Sequence, residues 1–158
     1  MPSKRYILIC KGHRFDAMPT VKNMVVDWLG DVKFVGRNEK GLKVNFEIAL
    51  EGVESTELSP METLLASLGA CSSYYIITIL KKQRQDIKGL SVELTGLRRD
   101  EPPRIYTEIH MKYIVRGSGL NKNFVENAVK ISNEKYCSVG GMLSKAAKIV
   151  YSYEIVEA

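Results

Sequence analysis

Ser59-Pro60-Met61-Glu62-Thr63-Leu64-Leu65-Ala66-Ser67-Leu68-Gly69-Ala70-Cys71 is the stretch from which the rest of this chain can be read. A serine, then proline at the first helical position and glutamate at the third, is a helix start. The serine oxygen can accept the N3 amide, and the glutamate carboxylate can accept the serine amide in return. Met61, Leu64, Leu65, Leu68, Ser72, Tyr75, Ile76 and Ile79 then recur at i, i+3, i+4 and i+7 spacing. Lys81-Lys82-Gln83-Arg84-Gln85 places positive charge at the end of the helix dipole that favours it. The pattern predicts one long helix over about residues 60–84. Ala66, Ser67, Gly69, Ala70, Ser72 and Ser73 make its middle small enough for another backbone to come close, so it is expected to be the buried central helix.

Strand patterns lie on either side. Before the helix, Val21 to Leu29, Asp31 to Arg37 and Gly41 to Leu50 are separated by Gly30 and by Asn38-Glu39-Lys40-Gly41, and Leu42, Val44, Phe46 and Ile48 alternate with polar residues. After it, Gly89 to Arg98 and Arg104 to Arg116 read as a strand pair turning at Asp100-Glu101-Pro102-Pro103. Ile105, Thr107, Ile109, Met111, Tyr113 and Val115 should form the core face of the second strand. Phe124, Ala128, Val129 and Ile131 predict a helix over about 121–134, followed by a short helix near 141–147 and a last strand from Ile149 to Val156. Cys137 falls at the junction of the two helices. Residues 1–20 are expected to be an extension with one short strand, and 21–158 a single α+β domain.

Bulk properties narrow the class. A chain of 158 residues that is 45% hydrophobic and 26% charged is of ordinary globular composition. Its uninterrupted apolar runs are only a few residues long, which argues against a membrane span, and the N-terminal Tyr6-Ile7-Leu8-Ile9-Cys10 is shorter than a secretory apolar region. The expected location is the cytoplasm. The net charge of +5 is scattered over Lys4-Arg5, Lys81-Lys82, Arg98-Arg99 and Lys145-Lys148, with no basic stripe carrying interleaved aromatics, so nucleic acid is not an expected partner.

Three cysteines, Cys10, Cys71 and Cys137, cannot all pair, and none belongs to a CxxC or CxxH element, which argues against a structural zinc site. Cysteines this far apart in a cytoplasmic protein are either small buried hydrophobes or redox groups. On periodicity alone Cys71, mid-helix beside the apolar face, reads as an inert core thiol. Cys10 reads as a buried strand residue, and His13 and His110 as surface histidines without a ligand set or triad.

The quoted stretch resembles the signature "SP-x-E-LL-A-x-x-G-A/G-C" of the OsmC/Ohr superfamily, the osmotically inducible and organic hydroperoxide resistance proteins. Glu134-Lys135-Tyr136-Cys137-Ser138-Val139 resembles that family's second motif, E-K-Y-C-P/S-V, and the likeness extends over about residues 21–156. It implies an intertwined homodimer in which antiparallel sheets wrap around the central helices. It also implies thiol-dependent reduction of organic hydroperoxides without metal, haem or flavin, with lipoyl-type dithiols as reductants. Cys71 would attack the peroxide as a thiolate, and Cys137 would resolve the sulfenic acid as a disulfide, its own thiolate favoured by the neighbouring helix N-terminus. Cys71 is too far from the start of its helix to use that dipole, so a cation should hold its thiolate. Arg37, in Phe34-Val35-Gly36-Arg37-Asn38, matches the family's arginine, and Glu62 its helix-start glutamate, which orients that arginine.

At 1.5 Å and 100° per residue Glu62 lies about 13 Å from Cys71 along the helix and on roughly the opposite side, so any catalytic part for Glu62 would be played across a dimer interface. Gly69-Ala70-Cys71-Ser72-Ser73-Tyr74 and Ile79-Leu80-Lys81-Lys82 resemble a less characterised OsmC-like branch more than the dedicated hydroperoxide reductases. A competing expectation is therefore a dimeric protein that binds a fatty or aromatic ligand in the same apolar pocket, with the cysteines as redox sensors.

Overall fold

The computed structural model describes residues 21–158, so the short strand expected within 1–20, Cys10 and His13 lie outside the described residues. The chain divides into two compact units, one ending at Phe46 and one spanning Glu47–Ala158.

In the first unit β1 (Met24–Gly30) turns at Asp31 and Val32 into β2 (Lys33–Asn38), and β3 (Lys43–Glu47) completes the order β1-β2-β3. β1 and β2 are antiparallel, with Val25 opposite Arg37 and Asp27 opposite Val35. Gly30, the last residue of β1, and Asp31, the first of the turn, have positive φ of +107° and +44°. β1 leaves Met24, Val25, Val26, Trp28 and Leu29 exposed, Trp28 at 68%.

The second unit is built on α1 (Pro60–Lys82). The capping box forms as its sequence dictates: Glu62 donates its amide to Ser59 Oγ at 3.2 Å, and Ser59 donates its amide to the Glu62 carboxylate at 2.8 Å. Leu68, Ser72, Ile76 and Leu80 recur every four residues and are fully buried. With a mean hydropathy of 1.6 over its best window, α1 is long and apolar enough to cross a membrane by length and composition, although its buried stripe is spent on the core of this unit.

β4 (Asp86–Arg98) and β5 (Tyr106–Ser118) form a long antiparallel hairpin, and β6 (Lys148–Glu157) lies along β5 in the order β4-β5-β6. The pairing of β5 with β6 is parallel, which corrects the expectation of purely antiparallel sheets. The chain leaves β5, crosses through α2 (Lys122–Ile131), a π turn (Ser132–Tyr136) and α3 (Ser138–Leu143), and re-enters beside the same strand. A crossover of that length is what parallel neighbours require.

Ile109, Met111, Tyr113 and Val115 face the core as the alternation predicts. At the start of β5 the expected parity fails: Tyr106 is buried, while Ile105 and Thr107 are exposed. The register shift between Leu97 and Arg98 inserts the extra residue that flips the face. On α2 Ala128 and Val129 face inward as expected and Ile131 is half-buried, but the first inward residue is Val125 rather than Phe124, which is 40% exposed. α3 begins at Ser138 rather than near 141, because Cys137 itself caps it.

Two glycines set how closely these elements approach. A Cβ on Gly69 would stand 2.9 Å from Leu94 Cδ1 and 3.0 Å from Val92 Cγ1, so α1 rests directly on β4. A Cβ on Gly96 would stand 2.6 Å from Tyr106 Cδ1, and that ring cannot swing away cheaply because its hydroxyl donates to the Met61 carbonyl at 2.9 Å. Gly96→Ala is therefore expected to destabilise the protein by about 1–3 kcal/mol, the usual cost of overpacking. Urea denaturation checks this as a lower midpoint at unchanged slope.

Candidate functional site

The site forms where α1 meets the π turn. Ser72, fully buried on α1, satisfies its own hydroxyl on the carbonyls of Leu68 at 3.0 Å and Gly69 at 3.1 Å. That leaves the Ser72 carbonyl to accept the Ser132 hydroxyl at 2.7 Å, and Ser132 is also fully buried. The π turn then closes with Cys137 donating its amide to the Ser132 carbonyl at 2.9 Å, a five-residue span that carries Cys137 inward. Asn133 is held by its amide on the Val129 carbonyl at 2.9 Å and accepts the Tyr113 hydroxyl at 3.1 Å.

This seam brings Cys71 and Cys137 together. Both are free thiols, Cys71 half-buried and Cys137 only 4% exposed, and their side chains lie within hydrogen-bonding reach of each other. Cys137 Sγ accepts the Gly140 amide at 3.3 Å, and its thiol points at the Leu68 carbonyl at 4.0 Å. A Cβ on Gly140 would press on that sulfur at 3.3 Å. Tyr113 forms the floor: it is fully buried, its hydroxyl is held by Asn133, and its acidity is weakened chiefly by burial and further by the charge of both neighbouring sulfurs.

The electrostatics of Cys137 run against the expectation that a helix N-terminus favours its thiolate. Burial is the largest influence and pushes the thiol up from 9.0 to about 11; the Gly140 amide pulls the other way, and the Cys71 sulfur adds to the rise by accepting the Cys137 proton. α3 is six residues long, and its few free amides cannot repay the desolvation of a sulfur this deep. Cys137 is thus the proton holder of the pair.

Glu62 lies in the first turn of α1, about 13 Å along the helix from Cys71. Its carboxyl is held below its ordinary value by the hydrogen bonds from Ser59, so it is an ionised cap on its own helix. Arg37 stands on β2 in the first unit, 46% exposed, with its guanidinium paired to the Asp27 carboxylate. His110 is a surface residue paired with Glu108 at 2.7 Å. Among the described residues no group of histidine, cysteine and carboxylate side chains converges as metal ligands would. The sequence singles out the two sulfurs, but not their supports: Ser72, Tyr113 and Val129 read only as core positions, and nothing in Ser132-Asn133 foretells the π turn.

The high value of Cys137 has a testable consequence. A thiol whose folded value is raised contributes stability that is fully present below the unfolded value near 9 and is lost as pH climbs through about 11. In Cys71→Ser, where burial remains the main influence, alkylation of Cys137 by iodoacetamide is expected to accelerate with pH to a midpoint well above 9. A midpoint at or below about 8.5, the value of a free thiol, contradicts the burial account.

The family model described as OsmC-like protein matches residues 52–152. Protein YhfA of Escherichia coli K12 is 41% identical over 134 residues, covering 84% of this chain and 97% of that protein. A crystal structure of a hypothetical protein from Aquifex aeolicus superposes with a TM-score of 0.78 at 33% identity, covering 88% of this chain and 98% of the other. An organic hydroperoxide resistance protein OsmC from Legionella pneumophila shares the fold, with a TM-score of 0.65 at 16% identity over 86% of this chain and 99% of its own.

Proposed function

The chain belongs to the OsmC-like family, and from that premise we propose that it is a thiol peroxidase that reduces organic hydroperoxides. The observation that carries this reading is the unequal thiol pair: Cys71 half-buried and open to attack, Cys137 buried, protonated and within hydrogen-bonding reach of it. A buried structural cysteine needs no second cysteine aimed at it from another element. Here the π turn and the Ser132–Ser72 bond are spent on holding one there.

The chemistry follows from that inequality. The Cys71 thiolate attacks the terminal peroxide oxygen; the O–O bond breaks, and the alkoxide leaves as an alcohol on taking a proton. Cys71 becomes a sulfenic acid, oxidised by two electrons. The Cys137 sulfur then displaces the hydroxyl from the Cys71 sulfur, its proton goes to that hydroxyl, and water and a Cys71–Cys137 disulfide result. An external dithiol reduces the disulfide by exchange and is itself oxidised to a disulfide. A lipoyl-type dithiol fits that role, and a thiol cycle of this kind belongs in a reducing compartment such as the cytoplasm.

Two further residues enter from the family pattern. Arg37 is the cation assigned to the Cys71 thiolate, and Glu62 the carboxylate that orients it. With Glu62 fixed as a helix cap about 13 Å from its own Cys71, its part requires a second chain. A homodimer is the assembly proposed, and the exposure of Met24, Val26 and Trp28 on one face of β1 and of Val25 and Leu29 on the other supports it, since so many exposed apolar side chains on one strand are ordinarily covered by a partner.

Dithiol-coupled turnover of cumene hydroperoxide tests the reading. Cys71→Ser is expected to abolish turnover, and Cys137→Ser to abolish dithiol-dependent cycling while accumulating a sulfenic acid on Cys71 that a dimedone-type reagent traps. Absence of turnover in the native protein with both cumene hydroperoxide and hydrogen peroxide would move the assignment to a ligand-binding protein.

A further inference from the structure

Three consecutive residues of the π turn are each tied to a different element. Ser132 donates to the Ser72 carbonyl of α1, Asn133 accepts the Tyr113 hydroxyl of β5, and Glu134 accepts the Tyr151 hydroxyl of β6 at 2.9 Å. The first two ties belong to the seam of the thiol site. The third lies farther out, with Glu134 exposed and Tyr151 half-buried, and no step of the thiol chemistry uses it.

Open space flanks that outer tie. Toward Lys148 a hollow of about 390 Å3 opens between Glu134, Gly141, Ser144 and Tyr151, and toward Tyr153 another of about 420 Å3 opens between Glu134, Lys130, Ser152 and Tyr151. Glu134 and Tyr151 line both hollows. Their hydrogen bond is therefore the bridge between π turn and β6 at this point, in place of packed side chains. Tyr151 stays a donor at working pH, because burial, and then the Glu134 carboxylate, push its hydroxyl up to about 12.

The winding explains why such a tie matters. A five-residue helical turn is rare against the four-residue one, and relaxation of Ser132–Tyr136 to ordinary winding would turn each later residue about 100° around the axis. Cys137 is the next residue, and its amide closes the π turn on the Ser132 carbonyl. Cys71, by contrast, stands on a helix seated against β4 at Gly69. The two sulfurs must still approach from hydrogen-bonding reach to about 2.0 Å to bond. The register of the π turn decides how often they can. A second clasp provides an internal comparison: Tyr153 donates to Glu126 at 3.0 Å, but Glu126 lies on the regular helix α2, where no such register is in play.

We propose that Tyr151 is a positioning residue for closure of the thiol pair: by holding Glu134 it keeps the π turn in the register that presents Cys137 to Cys71. Tyr151 acts through Glu134 and not on the reacting sulfurs. The inference rests on the peroxidase reading for the oxidant that the protein meets, but the closure itself joins two thiols and a simple disulfide can drive it. With oxidised glutathione, Cys71 attacks one glutathione sulfur and the first glutathione thiol leaves. Cys137 then attacks the Cys71 sulfur and the second leaves, so the protein dithiol is oxidised as one glutathione disulfide is reduced.

The test equilibrates the full chain in glutathione redox buffers and measures the Cys71–Cys137 disulfide by thiol alkylation and mass. Tyr151→Phe removes only the hydroxyl and is expected to lower the equilibrium constant for closure about fivefold or more. Glu134→Leu should match it, and the double variant should fall no further than either, since both delete the same interaction. Glu134→Gln, whose amide oxygen still accepts, should recover most of the native value, and Tyr153→Phe should stay within about twofold of it. An unchanged constant in Tyr151→Phe, or an equal fall in Tyr153→Phe as general loosening would give, overturns the inference and leaves the peroxidase reading standing. A native protein whose closure depends on Tyr151 in this way but which turns over no peroxide supports the positioning role and sinks the peroxidase reading alone.

Discussion

The hydrogen bond from Ser132 to the Ser72 carbonyl, 2.7 Å long and fully buried, is the contact on which the arrangement of sulfurs depends. A mid-helix carbonyl is normally committed to the amide four residues on, and Ser72 offers a second lone pair only where another chain segment can come within touching distance. The small residues of α1 permit that approach. Once Ser132 is docked, the backbone must pass from α2 into α3 within a few residues, and the π turn carries Cys137 inward. An unmade hydrogen bond in such a place costs about 1–3 kcal/mol, so the seam resists being opened by even one residue's displacement.

The same seam explains why two chemically identical side chains are unequal. Cys71 is half-buried, whereas Cys137 sits beneath the Gly140 amide and the Leu68 carbonyl with almost no access to water. Helix α3 works in the opposite sense by capping on the Cys137 sulfur, but a single amide at 3.3 Å from a large, diffuse acceptor does not outweigh the loss of solvation.

How much of this the sequence discloses depends on the range of each interaction. The capping box of Ser59 and Glu62 and the four-residue stripe of α1 are local, and they are legible because spacing within one helix decides them. The parity of β5 is legible from Ile109 to Val115 and illegible at Tyr106, because the bulge that flips it is set by the partner strand at Leu97 and Arg98. Phe124 looks inward by composition, yet the phase of α2 is decided by Val125, Ala128 and Val129 docking below it. The parallel entry of β6 is likewise a matter of where a crossover lands, which no local pattern records. The two cysteines could be picked out only through motifs; their support by Ser72, Ser132, Asn133 and Tyr113 is a tertiary fact.

Burial of the resolving thiol has a consequence for the order of events. A neutral thiol is a poor nucleophile, so Cys137 left to itself reacts slowly with anything, peroxide and disulfide reagents included. Its thiol sits beside the Cys71 sulfur, which is where a sulfenic hydroxyl appears after oxidation. That hydroxyl is the one group in the site that both needs a proton to depart and can take it from Cys137 as the sulfur attacks. The same burial that suppresses Cys137 toward other partners therefore leaves it competent toward the oxidised Cys71, and selectivity arises from where the proton has to go rather than from a thiolate formed in advance.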